Sequence, residues 1–123
     1  MISGQVNAIY EAIIQVNVRD VRRKPVTFDA ALDTGFSGFL TLPQALVEHL
    51  QLPFDRTETF TLGDGNDVDL DLYRAVVSWD GNDRYIFVIS TIGNPLIGMS
   101  MLRGYEIRID VVDGGAVRIE ARR

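Results

Sequence analysis

The chain has 123 residues, 46% hydrophobic and 24% charged, with eleven Gly, four Pro and no Cys. That length supports one packed core without covalent staples, and the lack of Cys excludes a disulfide framework and thiolate metal sites. Seventeen acidic against twelve basic residues leave a net charge of −5, which speaks against nucleic acid or an anionic membrane as partner.

No run approaches the roughly 20 apolar residues of a membrane span, and Met1-Ile2-Ser3-Gly4-Gln5 lacks the basic and apolar regions of a signal peptide. The expectation is one domain, 1–123, working in the cytoplasm. From Val6 to Val18, apolar residues occupy every second position: Val6, Ala8, Tyr10, Ala12, Ile14, Val16 and Val18. Period two predicts strand. The charged stretch Arg19-Asp20-Val21-Arg22-Arg23-Lys24-Pro25 interrupts it, and Val26 to Leu32 resumes a β-prone run, so a hairpin with a solvated basic connection is expected.

That second run leads straight into Asp33-Thr34-Gly35-Phe36-Ser37-Gly38. A carboxylate at the end of a buried strand is costly unless hydrogen-bonded. The neighbouring backbone amides and the Thr34 and Ser37 hydroxyls can hold one carboxylate oxygen and leave the other open. Thr41-Leu42-Pro43-Gln44 has the form of a helix start, with Thr41 as N-cap, Gln44 as capping-box partner and Pro43 in the first turn. The helix is expected to run to about Leu50 and to be ended by Pro53.

Beyond Phe60 the chain reads as strands punctuated by Asp64-Gly65, Asp80-Gly81 and Asp113-Gly114, dipeptides that tolerate the positive φ of tight hairpins. Asp67, Asp69 and Asp71 alternate with Val68, Leu70 and Leu72, which puts three carboxylates on one strand face. Their spacing fails the calcium-loop pattern, so a solvated acidic face is expected. Trp79 should pack locally. His49 is the only His, which leaves neither a transition-metal set nor a base for Ser37 or Ser100. No metal and no cofactor are expected.

Late in the chain, Leu96-Ile97-Gly98 precedes a helical turn at about 100–104 and a strand at 106–111. With Asp33-Thr34-Gly35 in the first third, this resembles the retropepsin-like aspartic proteases, particularly their small bacterial members, over roughly residues 26 to 112. The resemblance implies a mainly β fold, a closed retropepsin-like β-barrel with one or two short helices. It further implies that Asp33 is the catalytic aspartate, that Thr34 bonds across a dimer beneath the loops, and that Gly35 lets backbone approach the carboxyl. Ser37 would contact the outer carboxyl oxygen, and Ile97 and Gly98 would thread beside the catalytic loop. Phe60 to Leu70 would form the flap, with Leu62, Gly63, Asp64 and Gly65 at its substrate-facing tip. Phe36 and Gly38 depart from the commonest versions, and no Tyr stands at that tip; Tyr73 lies near the far end of the hairpin.

Peptide hydrolysis of this kind needs one carboxylate and one carboxyl sharing a proton. The chain carries a single Asp-Thr-Gly, so the second must come from a homodimer acting on a peptide or protein substrate. The family's habit of pairing chain ends points to 1–9 and 116–121 as dimer strands. The alternative is the same dimer without turnover, binding peptides or serving as a scaffold.

Overall fold

The alternating N-terminal residues do become strands, but not in one run. In the computed structural model, which describes residues 1–122, β1 (Ile2–Val6) and β2 (Ala12–Arg19) are separated by a turn. The Asn7 carboxamide oxygen accepts the amides of Ile9 and Glu11 at 3.2 and 2.8 Å, and Tyr10 takes φ 63. A short polar side chain thus imitates a backbone turn. It leaves Ala8, Ile9 and Tyr10 in solvent although the period-two pattern continues through them.

The next hairpin is as expected. β3 (Pro25–Leu32) runs antiparallel to β2 with Val16 opposite Phe28, and Asp20 Oδ1 gathers the amides of Arg22 and Lys24 at 2.8 and 2.9 Å. The expected helix start is corrected. Leu40–Pro43 forms strand β4, and α1 (Gln44–Leu50) begins after Pro43, which stands at the N-cap position without a side-chain cap. Strand pairing of Thr41 with Ile89 and Leu96 outweighs its capping propensity. α1 is ended by Gln51 in the left-handed region, φ 54, before Pro53 is reached.

β5 (Phe54–Thr61), β6 (Asp67–Trp79) and β7 (Asn82–Thr91) form a meander. Asp80 and Gly81, at φ 51 and 82, make the two-residue turn between β6 and β7. β8 (Leu96–Ile97), α2 (Met99–Leu102), β9 (Tyr105–Ile109) and β10 (Ala116–Ala121) complete the chain. The strand order is β5-β6-β7-β4-β8-β3-β2-β1-β10-β9, with an added pairing of β6 to β2. The fold is mainly β, and six strands from β6 round to β2 form a ring. Its closure is uneven: β2 and β6 meet only at Asn17–Ser78 and Val18–Val77.

Inside the ring lie Ile14, Val16, Val18, Leu40, Leu42, Val77, Val88 and Ile97, all buried, each contributing about 1.5–3 kcal/mol by leaving water. Trp79 packs edge-on against Tyr105, ring centroids 6.0 Å apart. The chain ends pair within the chain. β1 lies between β2 and β10, and β10 between β1 and β9, so the two terminal segments are not free strands awaiting a partner. Among the described residues no helix is long and apolar enough to cross a membrane.

Candidate active site

β3 delivers Asp33 to a junction of three strands. The two-residue β8 runs parallel to β3, with Leu32 opposite Ile97, and antiparallel to β4, with Leu40 opposite Ile97. The segment Leu96-Ile97-Gly98 therefore threads between the strand that enters the Asp33 loop and the strand that leaves it. Asp33 N donates to Ile97 O at 2.9 Å, Gly98 N to Phe39 O at 3.0 Å and Met99 N to Phe36 O at 2.8 Å. Ile97 is fully buried. A Cβ on Gly98 would lie 2.2 Å from Gly38 O and 2.5 Å from the Phe36 ring, so only a hydrogen fits there.

Within the loop, Gly35 N donates to Asp33 Oδ1 at 2.9 Å. This is the one bond to that carboxylate among the described residues, and Oδ2 is left open. A Cβ on Gly35 would sit 3.3 Å from Oδ1, tighter than ordinary contact. Asp33 is half-buried, while Thr34, Gly35 and Ser37 are exposed. The Ser37 hydroxyl makes no bond to Asp33; its carbonyl instead accepts Ser100 Oγ at 2.5 Å.

Several residues brace this junction in ways that the sequence alone does not show. Thr41, buried on β4, accepts the Leu96 amide on its hydroxyl at 3.1 Å and so anchors β8. Arg84 donates to Met101 O at 2.8 Å at the end of α2 and lies over the Phe39 ring. Phe36 fills the space above Gly38 and Gly98.

The hairpin expected as a flap is present. β5 and β6 pair from Phe54–Tyr73 to Thr61–Asp67, and β6 meets β7 only from Leu72 onward, so the arm beyond Leu72 stands clear of β7. At its tip Leu62 N donates to Asn66 O at 2.7 Å and Gly65 N to Leu62 O at 2.9 Å. Gly63 and Gly65 have open space around them, and Leu62 is 48% exposed. Asp64 accepts the Asn66 amide and carboxamide at 2.9 and 3.0 Å, bonds that hold its carboxyl below the usual 3.8. Tyr73 sits at the base of the arm, edge-on to Phe54.

The three alternating carboxylates have partners across the hairpin. Thr61, Thr59 and Thr57 donate to Asp67, Asp69 and Asp71 at 2.7, 2.6 and 2.7 Å. Among the described residues no group of carboxylates and imidazoles is placed to hold a metal, and His49 lies exposed in the last turn of α1. Two surface clefts, about 690 and 560 Å³, open beside β1–β3 and between β2 and β6. Asp33 lines neither; its loop lies open at the surface.

The chain superposes on the crystal structure of a retropepsin-like aspartic protease from Rickettsia conorii with a TM-score of 0.63 and 21% identity, over 99% of this chain and 91% of that one. No protein-family model matches the sequence, and no curated protein matches it. The fold is retropepsin-like.

Proposed function

We propose that this chain is one half of a homodimeric aspartic endopeptidase, with Asp33 as its catalytic carboxyl. The observation that carries the reading is Asp33 held at the end of β3 by one oxygen only, with Leu96-Ile97-Gly98 threaded beside it, in a fold like that of a retropepsin-like aspartic protease. One loop supplies one carboxyl, and a two-fold axis beside it supplies the second from another copy.

Two carboxyl groups about 3 Å apart cannot both ionise and so share one proton. The ionised Asp33 takes a proton from a water, and the resulting hydroxide attacks the scissile carbonyl. The protonated Asp33 of the second copy hydrogen-bonds to the carbonyl oxygen and stabilises the charge that develops there. The proton gained from water then passes to the leaving amine. The Gly35 amide on Oδ1 fixes the carboxylate's rotation, so that Oδ2 is the oxygen free to act. Thr34, exposed beside Asp33, would bond across the axis. Leu62 at the hairpin tip and the fully exposed Ile92 before β8 offer apolar surface to a peptide.

Asp33→Asn keeps the shape and the Gly35 bond but removes the shared proton. Cleavage of a mixed peptide library should fall by about 10²–10⁴-fold while circular dichroism is unchanged. Unaltered cleavage by Asp33→Asn overturns the reading. A folded wild-type dimer that binds peptides without cutting them would instead favour a binding module.

A further inference from the structure

The connection between β2 and β3 holds four of the chain's twelve Lys and Arg residues, Arg19, Arg22, Arg23 and Lys24, with Asp20 as the one acid among them. In a chain of net charge −5 this is a concentrated positive patch. The sequence predicts a solvated loop, but the connection is tied into the fold. Val21 N donates to Leu50 O at 3.0 Å, which joins it to the end of α1, and Arg23 N to Asp20 O at 2.8 Å, which closes it on itself. Arg23, with φ 64, makes no ion pair among the described residues.

The patch forms one side of the cleft of about 560 Å³ between β2 and β6, and a sheet face forms the other. Tyr85 and Phe87 of β7 share that face, opposite Val76 and Arg74 of β6. Tyr85 is 81% exposed, and Phe87 and Val21 are also open to solvent. The Arg56 guanidinium already covers the Phe87 ring, 4.6 Å from its centre; Tyr85 has no such cover among the described residues. Aromatic surface left bare in a concave site marks a place of contact. The two acids that reach the cleft are engaged, Asp83 by Arg19 Nη2 at 3.1 Å and Asp20 Oδ1 by the Arg22 and Lys24 amides. Arg74 meets a carboxylate, that of Asp55, only at 3.9 Å. Arg23 and Arg74 are therefore the charges that the chain leaves unanswered there.

We propose that this cleft docks an extended acidic segment of a second protein. An aromatic or aliphatic side chain of the segment lies against Tyr85, and its carboxylates meet Arg23 on one wall and Arg74 on the other. Because the connection is already held in place, Arg23 is presented at little ordering cost. A phosphate backbone would ask for an unbroken basic track, whereas Asp20 and Asp83 interrupt this one, so a peptide fits better than a nucleic acid. Asp33 leaves β3 at the end away from the connection, roughly 25 Å along its eight residues. The docked segment leaves the Asp33 loop clear, and the inference stands independently of the peptidase reading.

Fluorescence anisotropy with a short fluorescein-labelled peptide of Asp and Glu around a single Phe tests it, on wild type and on Asp33→Asn, which guards against cleavage. Binding should saturate in both with a dissociation constant on the order of 10 μM. Replacing the peptide's Phe by Ala, or its acids by Lys, should weaken binding roughly tenfold or more. Tyr85→Thr, which keeps a β-favouring residue at an exposed strand position, should weaken it roughly tenfold. Arg23→Asn, which suits the left-handed backbone, and Arg74→Gln should each weaken it roughly threefold. The circular dichroism and melting midpoints of these three variants should match wild type, so that the losses belong to the cleft. No saturation by the acidic peptide, equal affinity for the three variants, or loss of binding in Asp33→Asn overturns the proposal. So does equal affinity for a labelled oligothymidylate, which would make the cleft a nucleic-acid site, or self-association of the chain that Tyr85→Thr abolishes, which would assign the cleft to another copy.

Discussion

Gly98 is where the framework of the Asp33 loop is least able to yield. An added methyl would meet backbone oxygen at 2.2 Å, and a carbonyl cannot rotate away as a side chain could. Gly98→Ala should cost about 1–3 kcal/mol, as overpacking does, and should lower the proposed peptidase activity more than the stability loss accounts for, because Gly38 and Phe36 move with Asp33. Gly63, whose Cβ would touch nothing within 4 Å, is the control: Gly63→Ala should leave the denaturation midpoint within experimental error. The residues proposed to carry the chemistry stand out in the sequence because their types are restrictive, an acid after an apolar strand and a glycine after two bulky residues. Thr41 does not. Its capping pattern is local, whereas its actual partner, the Leu96 amide, is 55 positions away.

At the scale of elements, the β5–β6 hairpin shows how pattern and partner differ in visibility. The alternation of Asp67, Asp69 and Asp71 already announced one acidic face, but that each carboxylate takes a hydroxyl from the facing threonine depends on a register set by the turn at 62–66. The β1–β2 turn is the converse case, since Asn7 ends a strand inside an unbroken apolar alternation. The tip of the β5–β6 hairpin also has a pH dependence of known sign. The Asn66 amide, then its carboxamide, depress the Asp64 carboxyl below 3.8. A depressed acid adds stability that is complete above its unfolded value and is lost as pH falls through the lower folded value. The Asn66 amide resonance should therefore titrate with a midpoint below 3.8, and the turn at the tip should keep its Asp64–Asn66 bonds through the mildly acidic range in which the proposed shared-proton pair would operate. Asp64→Ala should remove that titration and speed hydrogen exchange at Asn66.

For the whole molecule, the ring is sewn shut at one short seam. Val18 and Val77, both fully buried and opposite each other, join β2 to β6. Val18→Ala should cost about 2 kcal/mol. Because the seam joins strands from distant parts of the chain, the loss should appear as a lower midpoint of one cooperative unfolding transition with an unchanged m-value. A separate early transition would show the seam to be peripheral. Mainly β architecture could be read from period two and the Asp-Gly turns, but the uneven closure could not, because a pairing of two residues leaves no periodic trace. The in-chain pairing of β1 with β10 was hidden for a related reason: apolar strand ends look alike whether their partner is the same chain or another.

The threading of β8 between β3 and β4 also sets an order of events during synthesis. Asp33, Gly38 and Phe36 bond to Ile97, Ser100 and Met99, so until that later segment has been made, the acid is attached to an unfinished loop. The Gly35 amide can hold the carboxylate locally, but the loop backbone gains its bonds to Ile97, Met99 and Ser100 only once that segment has been made and has slid into place. Asp33 thus lacks the framework on which its proposed hydrolytic role depends until Leu96 and Ile97, more than sixty positions later in the chain, are in place.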